Sequence, residues 1–152
     1  MANNLSLDQI QALVTRAPFH QWLGLTVVEA TDDSIEIRAK WREEWVVNTE
    51  RGYTHGGIIA ALIDLAADWA LVRETGRGVP TIDLRVDYHR PTIRSDLVAH
   101  GKVVRGGGQF STAEARIFDL DGKLGGQRPR HLFHRAAEIR IIAWGRKLRR
   151  KG

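Results

Sequence analysis

The sequence predicts an α+β domain in which one antiparallel β-sheet wraps a long central helix. Three observations predict it. Residues 24–39 place apolar and β-branched side chains in the manner of a hairpin, residues 57–72 are apolar on nearly every side, and three strand-like segments follow. A helix with almost no polar face has to be covered, and the strands on both sides of it in the chain are what can cover it.

Taken in order, Ser6 followed by Gln9 has the spacing of a capping box, and Ile10, Leu13 and Val14 follow at helical spacing. A short amphipathic helix that ends before Pro18 is predicted. Thr26, Val27 and Val28, then Ile35 and Ile37, flank Asp32-Asp33, which reads as the turn of the hairpin. The helix from Gly57 to Val72 is rich in alanine, so a sheet can approach it closely, and its apolar character predicts burial all round. The run Gly76-Arg77-Gly78-Val79-Pro80 breaks it. Strands are predicted over Thr81 to His89, Leu97 to Arg105 and Phe110 to Phe118, the last ending at a turn at Asp121-Gly122.

A chain of 152 residues, 43% apolar, is the size of one domain with a real core. No apolar run approaches the ~18 residues of a membrane span, and the first ten residues lack a secretory pattern, so a soluble, cytoplasmic protein is expected. The absence of cysteine excludes disulfides, thiolate nucleophiles and cysteine-ligated metals. Chemistry must come from oxygen and nitrogen groups. The net charge of +5 is unevenly spread: residues 1–126 hold 14 Lys and Arg against 17 Asp and Glu, and residues 127–152 hold 9 against 1. The basic character therefore belongs to the end of the chain and not to the folded body.

Asp64 and Asp68 interrupt the apolar helix four residues apart, on one face, where like charges repel. An ionised carboxylate buried there without a partner costs several kcal/mol, so at least one should be paired, protonated or open to solvent. Both would suit a wet groove or a subunit interface; buried acids are also enriched at functional sites. At the start of the helix, His55-Gly56-Gly57 offers unpaired backbone N–H groups that a ligand can approach, at the positive end of the helix dipole. That arrangement suits a developing oxyanion; it also suits a tight loop-to-helix turn in which His55 caps or packs.

The stretch N-T-E-R-G-Y-T-H-G-G-I-I-A-A-L-I-D-L-A-A-D-W-A-L, with an Asn before HGG and an Asp nine residues after the His, resembles the signature of the PaaI-type acyl-CoA thioesterases of the hotdog superfamily. The segments G-V-P-T-I-D-L-R-V-D-Y-H-R-P, V-V-R-G-G-G-Q-F-S-T-A-E-A-R-I and D-L-D-G-K-L resemble the family's strands in the same order, so the resemblance covers about residues 20–124. It implies a hotdog fold and hydrolysis of an acyl- or aryl-CoA to the free acid and CoA, with no cofactor beyond the coenzyme of the substrate. Asp64 matches the carboxylate that activates water or attacks the thioester, the backbone N–H of Gly56 in His55-Gly56-Gly57 matches the group that binds the carbonyl oxygen, and Asn48 matches the residue that positions water and carbonyl. Asn48 lies seven residues before His55, one more than is usual, so a bulge at Glu50-Arg51 is expected. Thr81 matches a Ser or Thr near the reactive centre, Asp83, Tyr88 and Arg105 match positions that contact the coenzyme, and Gly57 belongs with them in substrate binding. Asp68 matches no family role. The six histidines show no helical ligand pair beside an acid, and no metal is expected.

Asp64 lies eight residues beyond Gly56, about 12 Å along one helix, which is too far for both to serve one carbonyl. A two-fold homodimer with antiparallel helices, alone or within a homotetramer, would bring Gly56 of one chain near Asp64 of the other.

The domain is expected to span residues 1–125, with 126–152 an atypical basic tail. Pro129 and the surrounding arginines suit a sheet interior poorly. A one-nucleotide shift over residues 126–135 allows the peptide ASGRGTYFIA, which has the composition of a last strand, so a frameshift in place of that strand is expected. The competing reading is a non-catalytic protein that binds nucleic acid or lipid headgroups through a basic amphipathic helix from about His131 to Arg150.

Overall fold

The computed structural model describes residues 5–120 and the strand at 134–144. Helix α1, Leu7–Val14, opens with the expected capping box: the Ser6 hydroxyl accepts from the Gln9 N–H and the Gln9 side chain accepts from the Ser6 N–H. A second helix, α2, Pro18–Leu23, was not expected. Pro18 stands in its first turn, where the missing N–H is no loss, so the proline starts a helix here instead of only ending one.

The hairpin is strands β1, Leu25–Ala30, and β2, Ser34–Ala39. A 3-10 turn, Glu43–Trp45, buries Trp45 and leads into a small hairpin of β3, Val46–Asn48, and β4, Tyr53–Thr54, that the sequence does not announce. The extra residue before the central helix is taken up in β3, where the register shifts between Val46 and Asn48, and not by a bulge at Glu50-Arg51.

Helix α3, Gly56–Thr75, runs three residues past its expected end and is followed by β5, Thr81–Tyr88, β6, Leu97–Arg105, and β7, Phe110–Asp119, these three strands within a residue of their expected bounds. The sheet runs β1-β2-β6-β7-β8-β5 and is antiparallel throughout, where β8 is His134–Trp144. α3 lies across it and supplies Leu62, Ile63, Ala66, Ala67, Ala70 and Leu71 to the core. Gly101 of β6 allows the close approach: a Cβ there would stand 2.0 Å from the Ala66 carbonyl oxygen.

Two expectations are corrected. Over His134–Trp144, where the competing reading places a basic helix, the chain is a strand, paired with β7 on one side and β5 on the other, so the sheet takes in residues beyond 125. The reason is periodicity: Ala137, Ile139, Ile141 and Ala143 alternate with Glu138, Arg140 and Ile142, and the register sets the first four opposite the buried Ile117, Ala115, Ala113 and Ser111. The turn at Asp121-Gly122 and residues 126–133, over which the frame is expected to shift, lie outside the described residues. Nor is α3 buried all round. Gly57 is exposed and Ala61, Asp64 and Asp68 are half-buried, a stripe along a side of α3 that the six-stranded sheet covers only in part, through β5.

Among the described residues no helix is long and apolar enough to cross a membrane, and no three His, Asp or Glu side chains cluster as a metal site would require.

Candidate active site

His55 is the N-cap of α3. Its Nδ1 accepts from the Gly57 N–H at 2.8 Å, and its own backbone N–H donates to the carbonyl of the buried Trp45 at 2.7 Å. One of the helix's first N–H groups is thereby taken up by the side chain before it, and His55 stands in the capping role. The Gly56 N–H, at the first helical position, has no hydrogen-bond partner among the described residues. On the other side Tyr88, near the end of β5, donates its hydroxyl to the Gly56 carbonyl oxygen at 2.9 Å. Tyr88 is thus brought to the helix start.

Asn48 is exposed and holds the turn that precedes β4. Its Oδ1 accepts from the Arg51 N–H at 2.8 Å and its carbonyl from the Gly52 N–H at 2.7 Å, with Gly52 in the left-handed region. Within one chain it is an organiser of the loop ahead of the helix.

Two turns along α3 the second half of the site is built. Asp64 accepts at Oδ1 a hydrogen bond of 2.8 Å from the Thr81 hydroxyl, because the breaker run after α3 returns the chain so that β5 starts beside the middle of the helix. Thr81 is therefore at the carboxylate of Asp64. Together they border a cavity of about 280 Å³ between α2, α3 and the start of β5, walled by Phe19, Leu65, Trp69 and Val79. Asp68 and His20 also face it.

Burial pushes the Asp68 carboxyl up to about 6; the charge of Asp64 adds to this, while the Val79 backbone N–H and His20 act the other way. Its Oδ1 is out of contact with solvent and without a hydrogen-bond partner. His20 was missed by sequence reasoning. Its Nδ1 lies 2.7 Å from the Val14 carbonyl oxygen, which can only accept, so Nδ1 carries a proton and donates. Pro18 as a helix starter was the signal that could have placed it.

Asp83 and Arg105 are not gathered with the others. Asp83 is exposed in β5 opposite Ile142, and Arg105 is exposed at the end of β6 opposite Thr112. The chain thus carries an N–H without a partner among the described residues at one point of α3 and a hydrogen-bonded carboxylate beside a cavity eight residues on, about 12 Å away. A carboxylate so placed can take a proton from water or attack an electrophile, and an open helix N-terminus can hold a developing negative charge.

The family model described as the thioesterase superfamily matches residues 51–125. A Halobacterium salinarum protein named "putative esterase" is 37% identical over 113 residues, 71% of this chain and 74% of the relative. The Escherichia coli medium/long-chain acyl-CoA thioesterase YigI is 26% identical over 122 residues, 70% of this chain and 79% of its own. A solved structure described as a protein from the thioesterase superfamily superposes with a TM-score of 0.80 at 41% identity, over 92% of this chain and 98% of that one. Zebrafish thioesterase superfamily member 2, at 19% identity, shares the fold with a TM-score of 0.76 over 93% of this chain and 99% of its own.

Proposed function

Since this chain belongs to the thioesterase superfamily, a family of hydrolases, and has its hotdog fold, we propose that it is an acyl-CoA thioesterase, converting an acyl- or aryl-coenzyme A to the free acid and CoA. The observation that carries the proposal is Asp64: a carboxylate held by Thr81 beside a cavity that Phe19, Leu65, Trp69 and Val79 help to wall, on a helix whose first N–H has no partner among the described residues. The apolar walls suit an acyl or aryl group. Asp64 acts as general base toward water or as nucleophile through an anhydride, the Gly56 N–H binds the carbonyl oxygen, and Asn48 helps to order water and carbonyl. His55 keeps Gly56-Gly57 in place, Thr81 orients the carboxylate, and Gly57, Tyr88, Asp83 and Arg105 meet the coenzyme.

On this proposal the working unit is a homodimer, alone or as a dimer of dimers, with each site drawn from two chains. Two features support it. The stripe of α3 that carries Asp64 is only half-buried, and β5 is, among the described residues, an edge strand with Ile82 51% and Leu84 39% exposed, of the kind that another chain covers. The enzyme works in the cytoplasm, uses no metal, and has no cofactor other than the CoA of its substrate.

Thiol release from a panel of acyl-CoA thioesters tests the proposal. The protein is expected to release thiol from at least one of them, and Asp64→Ala to lower turnover by ~10²–10⁴-fold with its melting temperature kept. Release by Asp64→Ala at the normal rate, or none by the unaltered protein, would overturn it.

A further inference from the structure

The proposed reaction leaves one carboxylate of the cavity unused. Asp68 lies one turn of α3 beyond Asp64, about 6 Å along the axis, faces the same cavity, and keeps one oxygen out of contact with solvent and without a hydrogen-bond partner among the described residues. A carboxylate there is held against its own desolvation. We propose, resting on the thioesterase reading above, that Asp68 is a positioning residue for charge: ionised, it draws the proton of the attacking water onto Asp64.

In that step the water oxygen bonds to the thioester carbon and its proton passes to Asp64. When the intermediate collapses, the carbon–sulfur bond breaks and the thiolate takes the proton back, so water and thioester become acid and thiol. A negative charge one turn away favours the proton's arrival on Asp64. A Coulomb interaction at ~6 Å, in the effective dielectric of a protein surface, supports on the order of a tenfold effect on a step in which the proton is partly transferred. The titratable groups that face Asp68 are Asp64 on its own helix and His20 from α2. From the connection before β5 comes only the Val79 backbone N–H, and the walls Phe19, Leu65 and Trp69 carry no charge. Because burial brings the Asp68 carboxyl to about 6, the pair loses this help as pH falls through that value.

The test is the pH profile of turnover for Asp68→Asn and Asp68→Glu on an acyl-CoA that the unaltered protein hydrolyses. Asparagine has the size of aspartate and still offers an oxygen to Val79. Asp68→Asn is expected to lower the plateau about tenfold, to move the acid limb to lower pH and to make it less steep, with KM within about twofold. Asp68→Glu, which keeps the charge, should keep the limb near its original position. If Asp68→Asn loses activity equally at every pH with the limb unmoved, Asp68 is only structural and the inference fails. A profile that overlays the original also overturns it. Failure of the underlying reading looks different: the unaltered protein then releases no thiol, or Asp64→Ala releases it normally.

Discussion

Asp64 and Asp68 show how one residue type takes two states on one helix face. Asp64 has a hydroxyl donor in Thr81, whereas Asp68 has a buried oxygen without a donor and a carboxyl raised to about 6. The raised value fixes the sign of a stability effect. The folded chain binds this proton more tightly than the unfolded chain, where the group lies near 3.8, so the contribution is fully present below about pH 4 and is lost as pH rises to about 6. The loss is at most on the order of 3 kcal/mol. Asp68→Asn should therefore melt several degrees above the unaltered protein at pH 8 and together with it at pH 4, which scanning calorimetry at the two pH values would read. Equal melting temperatures at pH 8 would mean that Asp68 is better solvated, or covered by a donor from a second chain.

At the scale of elements the site depends on how α3 begins and on what lies under it. His55 caps the helix through Nδ1, so His55→Ala should cost about 1 kcal/mol in urea denaturation, and His55→Asn, which supplies a good capping oxygen, should recover most of that. Beneath the helix, Gly101 leaves no room for a methyl group: a Cβ would meet backbone atoms of Ala66 and Ala67, which cannot turn aside as a side chain can. Gly101→Ala should destabilise by roughly 2 kcal/mol or more, with the helix pushed off the sheet. An unchanged denaturation midpoint would show that α3 can shift at no cost. The capping box of α1, the β1–β2 hairpin and strands β5 to β7 were legible in the sequence, because each carries its own period or turn chemistry. β3 and β4 were not legible. They are three and two residues long, too short to show a period, and they exist because Trp45 is buried beside them.

For the whole molecule, the span of about 12 Å between Gly56 and Asp64 along one rigid helix predicts sites shared between chains. Gly56→Pro and Asp64→Ala, each inactive alone, should recover activity when mixed and allowed to exchange, since half of the sites in a heterodimer carry neither change. The proline is well placed: position 56 is the first of the helix, and His55 before it has φ −59° and ψ 131°, a conformation that a following proline accepts. Verified heterodimers that stay inactive would place the whole site within one chain.

What the sequence determined by itself was whatever is encoded locally: the apolar run of α3, the strands that cover it, the two acids on one face, and the glycines at the helix start. It also held the alternation of residues 137–143, which the density of arginine nearby hid. Only the tertiary structure decided which of these meet. Thr81 reaches Asp64 because the connection after α3 turns the chain back along the helix, and α2 brings Phe19 and His20 to the same cavity from sixty residues upstream in the chain or nearly so. The different partners of two acids four residues apart are likewise tertiary: they depend on what packs over each, and a helical spacing states only that the two share a face.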